Sequence, residues 1–397
     1  FRGLRGGTRG FLSRFAGNDA LYSNLDIKYL GPVDGHNLGD VEHALKQAKQ
    51  RRAPVIVHVI TEKGRGYEPA RNDEADQFHA VGQIDPETGK AIESVSSPSW
   101  TSVFSEEMVA LAGKNSSLVG ITAAMLAPTG LHAMAKAYPK RVIDVGIAEQ
   151  HAVTFSAGLA TQGLVPFCNI YSTFMQRAFD QVVHDVCIQN LPVNFCLDRA
   201  GFAGADGPTH HGAYDLAYMR IIPNMIVAAP MNEAELRNMM YTAQLPREGD
   251  AFTIRYPRGQ GVMPEWRTEM QKVAVGTGRK VSDGKNVAIL TIGHIGNYAI
   301  EAKEVLAKEK INPAHYDMRF VKPLDTNIID TLAPDHELFV SLEDGAIAGG
   351  AGTQALTVAD GALTGTAQNR VIEFTGTISG NRIITFPLLT ENFYIIK

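Results

Sequence analysis

Val193–Gly212 reads VNFCLDRAGFAGADGPTHHG. Val193–Leu197 is a short, mostly apolar run of the kind that forms a strand buried in a sheet. The run stops at Asp198 and Arg199, and the chain becomes glycine-rich around Asp206, His210 and His211. In open α/β sheets, ligands bind outside the carboxyl ends of the strands. Titratable side chains spaced by glycines are poor core material, so this loop is the leading candidate for a site. A metal held by His210 and His211 is not expected, because adjacent loop side chains rarely converge and no third ligand stands nearby.

The same texture extends in both directions. Strands are predicted at Ala53–Ile60, Leu118–Ile121, Arg141–Val145, Pro166–Ile170, Met225–Ala229, Val287–Gly293, His315–Phe320 and Leu338–Leu342. Helical spacing marks Val41–Gln50 and Ile300–Leu306. Ser102 is placed to cap a helix with Phe104, Met108, Leu111 and Ala112 on one face. Asn232 is placed to cap another, with Leu236, Met239, Met240 and Ala243 inward and Pro246 closing it. Strands alternating with helices predict an α/β fold of successive parallel or mixed sheets flanked by helices. Ser96–Ser99 and Tyr256–Trp266 read as linkers and divide the chain into domains at 1–95, 96–270 and 271–397. The first twenty residues, with Arg2, Arg5, Arg9 and Arg14 among glycines, read as a flexible end.

The 397 residues are 45% hydrophobic and 20% charged, which excludes global disorder. A net charge of −5 gives no global case for nucleic-acid binding. The three cysteines, Cys168, Cys187 and Cys196, form no CxxC motif, so neither a disulfide framework nor a cysteine zinc site is supported. A reducing, cytoplasmic compartment is expected. No apolar run approaches a membrane span, and no membrane partner is expected.

Three further stretches carry candidate chemistry. Glu149, Gln150 and His151 begin an apolar helical pattern. There a carboxylate is favoured by the helix dipole, and simple N-terminal capping competes with a functional role. Tyr171, Phe174 and Arg177 share a helical face. They form either an aromatic wall beside an anion-reading guanidinium or a core helix with a snorkelling arginine. Arg258, in Arg255-Tyr256-Pro257-Arg258-Gly259, is either an anion contact or a solvated turn residue.

Taken in order, IAEQHAVTFSAGLA, YSTFMQRAFDQ, LDRAGFAGADGPTHHGAYD and YPRG closely resemble the 1-deoxy-D-xylulose-5-phosphate synthases, a transketolase-like family of thiamine-diphosphate enzymes. YLGPVDGH (Tyr29–His36), EKGRGYEPA (Glu62–Ala70), FHAV (Phe78–Val81), DMRFVKPLD (Asp317–Asp325) and LEDGAIAGGAG (Leu342–Gly352) fit the same family. The resemblance runs from about Leu25 to Gly352. It implies a transketolase-like fold and a homodimer. The implied reaction condenses pyruvate with D-glyceraldehyde 3-phosphate, giving 1-deoxy-D-xylulose 5-phosphate and carbon dioxide for isoprenoid and vitamin synthesis.

By the same resemblance, Glu149 is the carboxylate that primes the thiamine pyrimidine, Phe174 stacks on that ring, and Tyr67 contacts the cofactor. His210 is chosen for proton handling at the substrate oxygen. Tyr171, Arg177, Arg199, Asp206 and Arg258 match substrate-side positions.

The resemblance also has gaps. The family's glycine-aspartate-glycine motif and the asparagine that follows it, which hold Mg2+ and the diphosphate, have no counterpart in the expected place. The magnesium ligands are therefore expected in a first-domain segment this chain lacks, and none is assigned here. ADGALTG at Ala359–Gly365 imitates that motif but reads as a turn. The stretch ending FPLLTENFYIIK departs from the family's C-terminus. The chain is thus expected to be part of a longer synthase or one component of a split enzyme. The alternatives are another transketolase-like enzyme, the pyrimidine-binding subunit of a 2-oxo-acid dehydrogenase, and a non-catalytic fragment of the same fold.

Overall fold

The computed structural model describes Tyr22 and residues 27–73, 77–79, 81–92, 97–346, 348–352 and 370–375. The arginine-rich first twenty residues, ADGALTG and the closing FPLLTENFYIIK lie outside these. The chain divides into two compact units, Phe1–Glu93 and Ser94–Lys397.

In the first unit, β1 (Lys28–Asp34) pairs in parallel with β2 (Val55–Ile60). The helix Leu38–Gln50 connects them. It starts three residues before the predicted Val41 because Asn37 accepts hydrogen bonds from the Gly39 and Asp40 amides.

The second unit holds two sheets. The first is built on β3 (Leu118–Thr122), β4 (Val142–Asp144), β5 (Val165–Tyr171), β6 (Asn194–Asp198), β7 (Met225–Ala228) and β8 (Ala251–Arg255). The second contains β9 (Arg279–Ser282), β10 (Asn286–Ile292), β11 (Ala314–Asp317), β13 (His336–Glu343) and β14 (Arg370–Thr375). Between β11 and β13 in sequence lies β12 (Phe320–Lys322). The first sheet has seven strands in the order β12-β7-β8-β6-β5-β3-β4, all parallel except the edge strand β12. The second has five, in the order β14-β13-β10-β11-β9, with β9 antiparallel. This is an α/β fold of parallel and mixed sheets.

The seven-stranded sheet is buried on both faces, as its apolar strands require. Cys168, Ile170, Phe195 and Leu197 enter one apolar cluster, while Phe167, Cys196, Phe252 and Ile254 enter another. Alternation along β5 and β6 feeds the two clusters in turn.

Two readings need correction. The helix Trp100–Lys114 is capped by Ser99, whose Oγ accepts from the Ser102 amide, so Ser102 is the recipient rather than the cap. The predicted strand His315–Phe320 is two strands in two sheets, because the chain turns at Arg319, whose φ is +58°. The strand β8 was not anticipated at all. Tyr256–Trp266 carries no helix or strand and is anchored at both ends, since both end residues are fully buried and Tyr256 stacks on Phe104 at 5.6 Å.

Candidate active site

Parallel pairing fixes the site's geometry. β5 and β6 are neighbours, and their last residues, Tyr171 and Asp198, stand opposite one another in register. Residues leaving the carboxyl ends of these strands therefore meet.

Asp198 is fully buried and accepts from Thr101 Oγ1 at 2.9 Å. Burial pushes its carboxyl above the usual range, and the Arg199 guanidinium opposes the shift. Arg199 has φ +58°, a left-handed conformation that is costly outside glycine and recurs at functional sites. That turn sends its side chain back over the strand ends. Its Nη1 lies 3.0 Å from Asp198 Oδ1 and donates to Pro128 O at 3.1 Å. Its guanidinium carbon sits 4.2 Å from the centre of the Tyr171 ring.

Tyr171 then stacks on Phe174, with centroids 5.6 Å apart and planes 14° from parallel. Burial pushes the Tyr171 phenol well above its ordinary value, so the hydroxyl keeps its proton at neutral pH. The predicted single helical face is a strand end followed by a short helix, because Tyr171 closes β5 and Phe174 lies in Ser172–Met175. The Arg177 guanidinium lies 5.3 Å from the Phe174 ring centre, and Nη1 donates to Glu149 Oε1 at 2.8 Å.

Glu149 opens the helix Glu149–Thr161 yet is buried, and the N-cap residue is Ala148. Its side chain caps no amide among the described residues and turns to Arg177, so capping does not account for it.

The loop after β6 closes on itself. Gly201 and Gly212 exchange backbone hydrogen bonds of 2.9 and 2.7 Å. A Cβ at Gly212 would collide with Ser172 and with the Arg199 carbonyl, so only glycine allows this approach. The loop presents Asp206 between two arginines, 2.9 Å from Arg258 Nε and 3.5 Å from Arg199 Nε. His210 lies edge-on to Phe174 at 5.5 Å and to Tyr171 at 6.2 Å. Thr209 Oγ1 stands 3.0 Å from His210 Nδ1. His211 faces elsewhere, with Nδ1 accepting from the Ala203 amide.

A continuous chain of contacts thus joins Glu149, Arg177, Phe174, Tyr171, Arg199, Asp206 and Arg258, with His210 packed on its aromatic centre. Tyr67 belongs to the first unit. There it precedes the short helix Glu68–Arg71, its ring meets Phe78 edge-on at 6.0 Å, and its buried hydroxyl has no hydrogen-bond partner among the described residues. The anchors of Arg199, Thr101 and Pro128, were not foreseen. They lie far away in sequence, and no local pattern marks them.

Among the described residues no group of three or more His, Cys, Asp or Glu side chains could hold a metal ion. No helix among them is long and apolar enough to cross a membrane.

Comparison with known proteins finds one family throughout the matched chain. Residues 96–262 match the transketolase pyrimidine binding domain, 276–381 the transketolase C-terminal domain, and 5–61 the 1-deoxy-D-xylulose-5-phosphate synthase family. A 1-deoxy-D-xylulose-5-phosphate synthase of Cytophaga hutchinsonii is 56% identical over 340 residues, 85% of this chain and 53% of that protein. One from Leifsonia xyli is 52% identical over 355 residues, 89% of this chain and 54% of that protein. The chain therefore spans about half the length of the curated relatives it matches. A solved structure described as a split gene transketolase, inactive beta4 tetramer, superposes with a TM-score of 0.61 at 28% identity, covering 70% of this chain and 89% of that one.

Proposed function

The chain is a homologue of the 1-deoxy-D-xylulose-5-phosphate synthases over about half their length, and from that premise we propose that it carries the pyrimidine-side and substrate-side half of such a synthase. The reaction is the thiamine-diphosphate-dependent condensation of pyruvate with D-glyceraldehyde 3-phosphate to 1-deoxy-D-xylulose 5-phosphate and carbon dioxide. The observation that carries the reading is the contact chain from Glu149 to Arg258, which joins a buried carboxylate, an aromatic wall and three arginines.

These residues fit the pyrimidine end of the cofactor. A flat heteroaromatic ring needs an apolar face and a buried acid, and Phe174 and Glu149 stand on either side of the Arg177 guanidinium. The magnesium-bound diphosphate finds no such fit, since the described residues offer no metal cage. When bound, thiamine diphosphate supplies the carbon nucleophile and the electron sink.

The chain's own groups orient and move protons. Glu149 is the acid placed to hydrogen-bond a pyrimidine nitrogen, releasing or sharing Arg177 to do so. Thr209 engages His210 at Nδ1, which leaves Nε2 to exchange a proton with a substrate oxygen. Tyr171, held protonated by burial, is a donor. Arg258 and Arg199 on either side of Asp206 suit a phosphate or carboxylate, where charge-assisted bonds fix geometry. A homodimer and a cytoplasmic setting belong to the same proposal.

A second reading is favoured by the likeness to the split gene transketolase, of which this chain covers 89%. In it, this chain works beside a separate diphosphate-binding chain. One assay separates the readings. The chain, alone and with the N-terminal half of the Cytophaga relative supplied in trans, receives thiamine diphosphate, Mg2+, pyruvate and glyceraldehyde 3-phosphate. Product in the reconstituted mixture supports the synthase reading. Turnover only with a ketose phosphate donor replaces it by another transketolase-like activity. No calorimetric heat with the cofactor in either mixture leaves a non-catalytic fragment.

A further inference from the structure

The end of β13 reaches the substrate loop from the other sheet. Asp344 follows β13 directly and is only 2% exposed. Its Oδ1 is buried with no hydrogen-bond partner among the described residues. Gly201, with φ +72°, passes so close that a Cβ there would overlap the same carboxylate. Two residues further on, the Ala346 amide donates to Ala213 O at 2.7 Å. The segment Asp344–Ala346 therefore holds both ends of the loop whose middle presents Asp206 and His210.

The holding segment is itself fixed from below. Arg255, the last residue of β8, donates from Nη2 to the Asp344 carbonyl at 2.8 Å and from Nε to Asp215 Oδ2 at 2.9 Å. All three residues are buried, so solvent screens these charge-assisted bonds little. His294 Nε2 lies 3.5 Å from Asp344 Oδ2. None of this is needed to close the loop, because the exchange between Gly201 and Gly212 already does so. The extra bonds fix where the closed loop sits relative to Tyr171 and Phe174.

We propose that Asp344 is a positioning residue for substrate binding, packing against the Gly201 backbone to set the Gly201–Gly212 loop, and hence Asp206 and His210, against the aromatic wall. The assignment rests on reading Asp206 and His210 as substrate-side groups. A loop displaced by about 1 Å can lose up to 10²-fold in rate.

Two measurements test it. The first is amide hydrogen exchange on the full 397-residue chain, which needs no activity. Asp344→Ala should speed exchange at Gly201, Phe202 and Gly212 while β5 and β6 keep parental protection. The second is kinetics in the assembly reconstituted with the N-terminal half of the Cytophaga relative. Asp344→Ala should raise the apparent KM for glyceraldehyde 3-phosphate by about tenfold, with the thiamine diphosphate affinity unchanged. Asp344→Asn keeps the side-chain volume packed against Gly201 and should recover both properties. Gly201→Ala should mimic Asp344→Ala, and its added effect should shrink when Asp344 is already alanine. Parental loop exchange in Asp344→Ala overturns the proposal, as does faster exchange spread through β5 and β6. Faster loop exchange in a parent assembly that never forms product overturns the synthase reading and leaves the tether standing.

Discussion

Arg177 Nη1 donates to Glu149 Oε1 at 2.8 Å, so an arginine that is 56% exposed closes over a carboxylate that is almost wholly buried. The pair joins the start of the helix Glu149–Thr161 to the short turn Gln176–Ala178, and its members differ in how they meet water. A buried carboxylate depends on its partner, whereas an exposed arginine does not. Glu149→Gln keeps the shape and one acceptor oxygen but removes the acid. In the reconstituted synthase it should lower turnover by about 10²–10⁴-fold, the range of a lost acid–base group. Its melting temperature should stay near the parent's. Parental turnover in this variant would remove Glu149 from the chemistry.

Arg258 and Arg199 share Asp206 but are not equivalent. Arg258 is 39% exposed and pairs only with Asp206 among the ion pairs of the site, which leaves it able to take a substrate anion. Arg199 is 14% exposed and held by Asp198, Thr101 and Pro128. Arg258→Ala should raise the apparent KM for glyceraldehyde 3-phosphate by about 10- to 100-fold, matching the roughly 1.5–3 kcal/mol of a charged hydrogen bond. Arg199→Ala should also destabilise the fold by about 3–5 kcal/mol, because it leaves Asp198 buried without its cation. Steady-state kinetics beside urea melts read the two effects separately. Equal effects of both variants on KM and on stability would contradict this division.

The parts of the site that were legible in the sequence are those encoded locally. The apolar run before Asp198 announces a strand, and the glycines after Arg199 announce a loop that no core would accept. Glu149 was ambiguous, since an acid at a helix start serves equally as a cap, and only the structure shows its side chain turned toward Arg177. Parallel pairing is what brings Tyr171 beside Asp198, and pairing across sequence leaves no local trace. The fold shows the same limit. His315–Phe320 has one continuous β pattern, yet the left-handed turn at Arg319 sends its end to a different sheet. Ser102 and Ser99 are both good caps by type, and backbone geometry selects Ser99.

Buried groups of the second sheet should respond to pH in opposite ways. Burial raises the Asp317 carboxyl from 3.8 to about 6, with Arg279 opposing. Between those values the folded state holds a proton that the unfolded chain has lost, so this group makes stability fall as pH rises from about 4 to 6. Burial, with Arg255 adding to it, lowers His294 from 6.5 to about 3. Burial likewise lowers His315 from 6.5 to about 4. There the unfolded chain takes up protons that the folded state refuses, so stability falls as pH drops below about 6.5. Asp317→Asn should flatten the first slope and His294→Gln the second. Thermal melts from about pH 4 to pH 7 check both, and slopes unchanged in both variants would refute these assignments.

Gly212 offers the sharpest test of how closely the loop is seated. Its backbone packs where a Cβ would strike both Ser172, next to Tyr171, and the Arg199 carbonyl, next to Asp198. Rotating Ser172 would move its Oγ but not its Cβ, and the carbonyl is fixed by the left-handed turn at Arg199. Gly212→Ala must therefore lift the loop from the strand ends, carrying His210 off Phe174. The sheet cores lie beneath and are untouched, so far-UV circular dichroism should match the parent. Turnover should fall by about 10²-fold, as for other displacements near 1 Å. Tyr171 and Arg199 stay in place, so their stacked contact should persist in a structure of the variant. A variant with parental turnover would mean that the loop's distance from the aromatic wall is not what the chemistry depends on.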